Sequence, residues 1–210
     1  MSRAPSLCGV ILAAGDSTRM GRDKALLPWP PVPEGKPSAG TFLTAAIDSL
    51  SLFTELVMVV AGKNASVIAP FVYAAGASLV VNPQPEVGQF SSLQVGLREV
   101  LNRGRDAAMV TLVDRPPARQ ETIAKLSQEF CAALERRKWA VVPQFGNRHG
   151  HPIVFGREMI EAFLEAPPTA TARAIEHQHE NKIEYLEVDD PEVIGNINTP
   201  EEYAALCAVR

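Results

Sequence analysis

Short apolar runs recur along this chain, and they predict its strands. The runs have the length of buried strands and cover residues 8–13, 56–62, 78–82, 107–113 and 139–142. Helices are predicted between them, over residues 42–52, 65–73 and, with clear amphipathic spacing, 119–136. Strands and helices that alternate in this way indicate βαβ units and a mostly parallel sheet covered on both faces.

Residues 82–101 predict a loop followed by a helix. Leu93, Leu97 and Val100 have helical spacing, and Ser91 or Ser92 stands where an N-cap is expected. A capped helix after a loop explains this pattern on structural grounds alone. It is also compatible with a function, because a helix N-terminus offers free N–H groups to a ligand.

Two other segments are assigned from their turn-forming and polar residues. Prolines and glycines in residues 28–41 predict an irregular exposed loop, either a neutral surface insertion or a lid over a substrate site. A helix is predicted over residues 170–180, where His177 and His179 point in different directions and are expected on the surface.

Near the end of the chain, capping residues predict a last helix. Thr199 is the expected N-cap, Pro200 takes the first helical position, and Glu202 follows the cap by three residues. Asn196 and Asn198 therefore stand just before a helix N-terminus. The preceding acids, Asp189 and Asp190, are interpreted as solvated turn residues.

Length, charge and cysteine content narrow the class of protein. A chain of 210 residues with 46% hydrophobic content is expected to form one α/β domain, residues 1–210. A net charge of −4 and a pI near 5.6 provide no general basic field, so nucleic acid and membranes are not expected partners. The three cysteines form no CxxC pair, which favours reduced thiols and a cytoplasmic location.

The stretch GVILAAGDSTRMGRDKALLP, residues 9–28, has the features of a phosphate-binding loop. Ala13, Ala14 and Gly15 lack bulk, so that a ligand can approach the backbone, and Gly15 can adopt angles closed to other residues. Arg19 and Lys24 can hold a polyphosphate at two places. The spacing is neither GxxxxGK[ST] nor GxGxxG, and a soluble turn carrying two surface cations is the plain alternative.

The full string LAAG-x-S-x-R-M-G-x-x-K, from Leu12 to Lys24, resembles the signature of the molybdopterin nucleotidyltransferase family. The resemblance implies a three-layer α/β/α sandwich of the nucleotide-diphospho-sugar transferase type, which is Rossmann-like. It implies transfer of NMP from an NTP to a phosphorylated acceptor with release of pyrophosphate. Leu12, Ala13, Ala14 and Gly15 would then contact the nucleotide, while Arg19 and Lys24 would offset charge on its β- and γ-phosphates.

Two later segments also resemble the family. Asn82, Gly88 and Ser92 match N-x(n)-G-x-x-x-S-L-x-x-G-L, which implies contacts with nucleobase and ribose. Asp114 ends an apolar strand, where it could bind a metal or cap the following helix. The family's D-x-P motif implies Mg²⁺ at Asp114, although Arg115 and Pro117 are unusual beside it.

The candidate residues for acceptor binding and for the second metal ligand lie in the C-terminal third of the chain. PQFGNRHGHPIVF, residues 143–155, resembles the family's P-x-x-G-x-x-G-H-P segment near the acceptor. This makes His151 a candidate substrate contact and His149 a loop residue. Asn196 and Asn198 match the N-x-N-x-P form common among guanylyltransferases, where the cytidylyltransferase branch usually has D-I-D-T-P. An amide oxygen can bind Mg²⁺, so Asn198 is the candidate second ligand.

The expected activity is CMP transfer from CTP to molybdopterin or molybdenum cofactor, with a molybdoenzyme as a further partner. CTP is favoured because the family's guanine users usually read LAGG, and the methyl group of Ala14 takes room from a purine. The alternatives are a guanylyltransferase on the same cofactor and a cytidylyltransferase for methylerythritol phosphate or another sugar or polyol phosphate. A non-catalytic cofactor-binding chaperone is the alternative from another class.

Overall fold

The computed structural model describes residues 5–17, 20–32 and 37–209, with side chains as far as residue 206. The strands are β1 (Leu7–Ala13), β2 (Pro28–Trp29), β3 (Gly40–Thr41), β4 (Leu56–Ala61), β5 (Ser78–Val81), β6 (Ala107–Leu112), β7 (Ala140–Phe145), β8 (Arg148–His149), β9 (Ile153–Gly156) and β10 (Ile183–Glu187). The helices are α1 (Phe42–Ser51), α2 (Ala65–Ala74), α3 (Gln89–Asn102), α4 (Gln120–Glu135), α5 (Arg157–Glu165), α6 (Ala172–Gln178) and α7 (Pro200–Val209).

Eight of these strands form one sheet in the order β10-β7-β9-β6-β1-β4-β5, with β8 paired to β7. β1 is central, and it runs parallel to both β4 and β6. β9 lies antiparallel between β6 and β7, so the sheet is mixed at that point. The prediction of a mostly parallel sheet is confirmed.

Helices cover both faces of the sheet and enclose two apolar cores. α1, α2 and α4 pack on one face, against side chains such as Ile11 and Val59. α3, α5 and α6 pack on the other, against Val10 and Val60 among others. Successive residues of β1 and β4 thus alternate between the two cores, which is why these strands are apolar throughout. The expected three-layer α/β/α sandwich is confirmed.

A third, smaller apolar cluster joins α7 to the phosphate-binding loop and to the start of α1. Met20, Leu27, Phe42, Ile197 and Tyr203 form it, and the Tyr203 hydroxyl donates a 2.9 Å hydrogen bond to the carbonyl of Pro28. The N-cap of α7 is as predicted: the backbone N–H of Glu202 lies 3.3 Å from Thr199 Oγ1 and that of Thr199 lies 3.3 Å from Glu202 Oε2. This cap fixes the chain just after Asn198.

Two predicted boundaries are wrong. α3 begins at Gln89 with Gly88 as its N-cap, so Ser91 and Ser92 lie inside the helix. The loop over 28–41 contains regular structure, because β2 pairs with β3 and Thr41 caps α1 with a reciprocal hydrogen bond to Thr44. Residues 33–36 of that loop lie outside the described residues.

Asp190 is the clearest correction to the sequence analysis. It is 0% exposed, whereas a solvated turn residue was expected. Its carboxylate accepts hydrogen bonds from the Arg119 backbone N–H and the Thr122 hydroxyl, both 2.8 Å, and from the backbone N–H of Glu192. A side chain from the C-terminal segment therefore caps α4, because Arg119 itself provides no side-chain cap. Asp189 is exposed, as predicted.

Among the helices of the described ranges, none combines the length and apolar character that a membrane crossing requires.

Candidate active site

The phosphate-binding loop follows β1 at the carboxyl edge of the sheet. Its residues 14–17 have no regular structure, and the left-handed backbone conformation belongs to Ser17, with φ of 49°, and to Gly21, with φ of 70°. Gly15 has no such angle, and no atom lies within 4 Å of where its Cβ would be. The role of Gly15 is therefore to leave space, not to permit a special turn. Arg19 lies outside the described residues.

Lys24, Asp114 and Asn198 meet below this loop. Lys24 Nζ lies 2.9 Å from Asp114 Oδ2 and 3.0 Å from Asn198 Oδ1. The backbone N–H of Lys24 also donates to Ser17 Oγ at 3.1 Å, which ties the lysine to the loop. Three residues far apart in sequence thus form one polar cluster, and both candidate metal ligands direct an oxygen at the same cation.

The position of Asp114 excludes one of its two predicted roles, the helix cap. It comes two residues after β6, and α4 begins only at Gln120. Because Asp190 takes the N–H of Arg119, Asp114 does not cap α4. Its carboxylate is held by Lys24. The side chains of Lys24 and Asp114 are only 12% and 22% exposed, respectively.

The cluster fits a divalent cation. Asp114 and Asn198 offer a charged and a neutral oxygen that converge on one ammonium group, so they already surround a positive charge. No group of three or more acidic, histidine or cysteine ligands occurs among the described residues. Mg²⁺ suits such a sparse site, since it is commonly held by one or two protein oxygens together with substrate phosphates and water.

A cavity of about 470 Å³ opens above this cluster. Of the predicted site residues, those that line it are Leu12, Ala14, Gly15, Lys24, Gly88, Ser92, Asp114 and Asn198. Asn196 lines it too. Ala13 does not, because its side chain faces the core within β1 and is 2% exposed.

Asn82 supports the cavity wall from behind. It is 3% exposed, and its amide donates 3.0 Å hydrogen bonds to the hydroxyls of both Ser91 and Ser92. Its Oδ1 accepts the backbone N–H of Gln84. Asn82 is therefore placed to orient Ser92 and the loop before α3, while Ser92 itself lines the cavity.

Gly88 forms the corner where that loop enters α3. Its φ is 129°, a backbone conformation that side chains rarely adopt. As the N-cap residue it leaves the first N–H groups of α3 without a side-chain cap. Gly88 also lines a second, larger cavity.

The second cavity has a volume of about 1340 Å³ and adjoins the first. Five residues line both cavities: Leu12, Gly88, Gln89, Leu112 and Arg115. Much of the remaining wall comes from residues 147–151, from β9, from the segment that contains α6 and from the start of α3. The two cavities therefore share one wall.

His151 lines this larger cavity, as a substrate contact should. Its Nδ1 lies 3.3 Å from the carbonyl oxygen of Val110, which can only accept, so Nδ1 carries the proton. Burial, and then the charge of Arg115, lower the pKa of His151 to about 3. The ring is therefore neutral at physiological pH and offers Nε2 as an acceptor.

Two histidines differ from the sequence interpretation. His149 belongs to β8, where it stacks on Tyr185 with ring centroids 4.4 Å apart, and is not a loop residue. His179 follows the end of α6 and packs against Trp139 at 4.9 Å. His177 is 83% exposed, as predicted, although it borders the larger cavity.

Arg115 is the residue that sequence reasoning missed. It stands at the junction of both cavities and directly follows Asp114. The signal was present in the sequence as an unusual residue within D-x-P, but only the fold shows that its side chain reaches both cavities.

Comparison with known proteins identifies the family of this chain. The model of the MobA-like NTP transferase domain matches residues 9–183. This chain belongs to that family. The MobA-like NTP transferases are nucleotidyltransferases of the molybdopterin type, and they generally use a divalent metal. The expectation from the loop motif is confirmed.

The MobA-like relatives are named as transferases of different nucleotides. A probable molybdenum cofactor guanylyltransferase of Rhodopirellula baltica is 36% identical over 112 residues, about half of each chain. The molybdenum cofactor cytidylyltransferase of Escherichia coli is 22% identical over 92% of each chain. Among solved structures, Rv0371c from Mycobacterium tuberculosis has a TM-score of 0.80 at 24% identity, covering 99% of this chain and 100% of its own.

Proposed function

We propose that this chain transfers CMP from CTP to the phosphate group of molybdopterin or molybdenum cofactor and releases pyrophosphate. The observation that carries the proposal is the convergence of Lys24, Asp114 and Asn198 at the floor of one cavity that opens into another. The smaller cavity would hold the nucleotide and the larger one the acceptor. Residues 1–210 would act as one domain, in the cytoplasm.

The nucleotide would lie with its triphosphate along residues 14–17. Small residues there allow the phosphates close to the backbone, whose N–H groups suit anionic oxygens. Lys24 and Arg19 would offset the negative charge that grows on the leaving pyrophosphate. Ser92 and Gly88, supported by Asn82, would contact the nucleobase and ribose.

Asp114 and Asn198 would hold Mg²⁺, which would supply positive charge to offset that of the phosphates. Lys24 now occupies the space between these two ligands. Lys24 would therefore turn from Asp114 towards the triphosphate when nucleotide and metal enter together. This change exchanges one ionic partner for another, so the lysine stays paired throughout.

The acceptor needs no protein base. A phosphate monoester is already ionised at neutral pH, and its oxygen can attack the α-phosphorus in line. The new bond forms between that oxygen and the α-phosphorus, while the bond to the β-phosphate oxygen breaks and its electrons leave with pyrophosphate. His151 is neutral and would serve as a hydrogen-bond partner for the acceptor.

CTP is proposed over GTP because Ala14 lines the smaller cavity with its methyl group. One methyl group discriminates by only about 1–3 kcal/mol, so the preference is a ratio. GTP is the second candidate, favoured by the amides at Asn196 and Asn198 and by relatives named as guanylyltransferases.

The proposal is tested by incubating the protein with Mg²⁺ and each of the four NTPs, with and without molybdopterin, and measuring pyrophosphate. Release that requires both CTP and molybdopterin supports it. Release with a sugar or polyol phosphate instead would move the enzyme to another acceptor. No release with any pair would favour a binding protein without catalysis.

A further inference from the structure

Arg115 is a half-buried cation that lines both cavities. We propose that its guanidinium group binds the phosphate of the acceptor and holds it against the nucleotide. The proposal rests on the proposed function, because it takes the larger cavity as the acceptor site. It assigns a phosphate-monoester site to a residue that departs from the family's usual sequence pattern.

The side chain is fixed from one side only. Nη1 donates hydrogen bonds to the carbonyls of Val193 and Gly195, at 3.4 and 3.2 Å. Gly195 packs in turn against the ring of Pro116. These contacts orient the guanidinium plane and leave its remaining N–H groups available for a ligand.

One hydrogen-bond donor of Arg115 has no partner in the described structure. Nε of Arg115 is buried and makes no hydrogen bond in the described structure. Within the described ranges no carboxylate lies in salt-bridge distance of Arg115, and the adjacent Asp114 is engaged by Lys24. Because the guanidinium group has no carboxylate partner there and lines both cavities, an anion in them can pair with it.

The charges around Arg115 are mixed, with a second cation on the side of the larger cavity. Burial lowers the pKa of Arg115, the adjacent Asp114 carboxylate raises it and the charge of Arg148 lowers it, yet arginine stays protonated at physiological pH. Both arginines line the larger cavity. A phosphate monoester would relieve the repulsion between them, and its oxygens match the fork of N–H donors on a guanidinium group.

The location suits the reaction. Arg115 follows Asp114 directly and also lines the nucleotide cavity, so a phosphate on Arg115 would lie beside the α-phosphate of the nucleotide. The pterin would extend away from it over Phe90 and Phe155, towards His149. Holding the attacking oxygen near the α-phosphorus lowers the barrier by fixing the approach.

A structural role for Arg115 makes a different prediction. If Arg115 only ties the carbonyls of Val193 and Gly195 to the end of β6, its loss lowers the melting temperature and leaves phosphate affinity unchanged. If it binds phosphate, affinity falls in folded protein. The two roles therefore separate when both quantities are measured on the same variants.

The experiment is calorimetric titration with phenyl phosphate, a monoester without a pterin, before and after addition of a non-hydrolysable CTP analogue with Mg²⁺. The variants are Arg115→Met, Arg115→Lys, Arg148→Met and Lys24→Met. Arg98→Met is the matched control, because Arg98 is exposed on α3 and lines neither cavity. Melting temperatures accompany every titration.

Binding to the wild type that falls roughly tenfold or more in Arg115→Met, and several-fold in Arg115→Lys, supports the proposal. Arg98→Met should bind as the wild type does. If Arg115→Met does not fold, Arg115→Lys decides in the same way. Wild type that fails to bind phenyl phosphate, or binding that weakens in Lys24→Met alone, overturns the proposal.

Failure of the proposed function has a different signature. If phenyl phosphate binding depends on Arg115 but molybdopterin gives no pyrophosphate, the phosphate site stands and the acceptor is another monoester. With an active acceptor, Arg115→Met should raise KM for the acceptor by about tenfold or more. KM for CTP should change little.

Discussion

Lys24 and Asp114, 90 residues apart in the chain, form a 2.9 Å ion pair at the carboxyl edge of the sheet. The pair joins the end of the phosphate-binding loop to the end of β6, which lies beside β1. The proposed function gives both residues a role in the reaction, yet each now satisfies the charge of the other. The proposal therefore requires the pair to separate when nucleotide and metal bind.

Lys24→Met should bind metal more tightly while it loses activity. Without nucleotide, the lysine competes with a divalent cation for Asp114, and its removal should tighten Mn²⁺ binding by ~tenfold, as measured by electron paramagnetic resonance. The variant should have a lower kcat/KM, equivalent to a loss of about 2–4 kcal/mol in transition-state stabilisation. Arg19→Ala should show a similar loss. Folded variants with wild-type kcat/KM would show that the phosphate-loop assignment is wrong.

Asp114→Ala and Asn198→Ala should differ in severity. Asp114 contributes charge to the metal site, so its loss should abolish Mg²⁺-dependent turnover without unfolding the protein. Asn198 contributes a neutral oxygen that water can replace, and its variant should keep part of the activity. Kinetics over a range of Mg²⁺ concentrations measure both effects. A deep loss for Asn198→Ala and none for Asp114→Ala would reverse the two assignments.

Asp190→Ala should destabilise the fold strongly. The change leaves the N–H of Arg119, the hydroxyl of Thr122 and the N–H of Glu192 without their buried acceptor. We expect a loss of about 3 kcal/mol in the free energy of unfolding, measured in urea. Asp189→Ala is the matched control, since Asp189 is exposed, and it should change stability by less than about 0.5 kcal/mol. Equal effects in the two variants would contradict the cap.

His151 should make the protein less stable in acid. Its pKa is lowered to about 3 in the folded state, whereas the unfolded chain has the ordinary value of 6.5. Between these values the unfolded chain binds a proton that the folded protein does not, so stability falls as pH decreases from about 6.5 towards 3. The slope from this residue approaches ~1.4 kcal/mol per pH unit.

Urea unfolding at several pH values between 4 and 7, on the order of half a unit apart, measures that slope. His151→Gln should flatten it, whatever its effect on stability at neutral pH. His177→Gln, at an exposed position, should keep the wild-type slope. A His151→Gln variant with an unchanged slope would show that the ring is not protected from protonation.

The sequence predicts most of the central fold because its strands are apolar on both faces. Runs such as 56–62 and 107–113 have the length and the β-branched content of buried strands, and the observed β4 and β6 match them within about one residue at each end. β9, β10 and α5 were not predicted. β9 is a four-residue run inside a segment interpreted as a substrate loop, and its antiparallel direction depends on neighbours that periodicity does not reveal.

Sequence motifs identified three residues that the structure brings together, but they did not identify residues whose position depends on contacts between distant segments. Lys24, Asp114 and Asn198 each belong to a recognisable string and form one polar cluster, and their roles in phosphate and metal binding stay predictions. Asp190 was misinterpreted because no local pattern shows that residues 188–195 fold over the start of α4. Arg115 lacked an assignment for the same reason, since its role depends on the carbonyls of Val193 and Gly195.

The most direct test of nucleotidyl transfer is to incubate the wild type and Ala14→Gly with Mg²⁺, molybdopterin and equal amounts of CTP and GTP. Mass spectrometry identifies the dinucleotide formed, and pyrophosphate is measured alongside. The account predicts one pyrophosphate per dinucleotide, mainly the cytosine form in the wild type, with a shift towards guanine in Ala14→Gly. Mainly guanine product in the wild type contradicts the CTP preference, and the absence of any dinucleotide contradicts the proposed transfer itself.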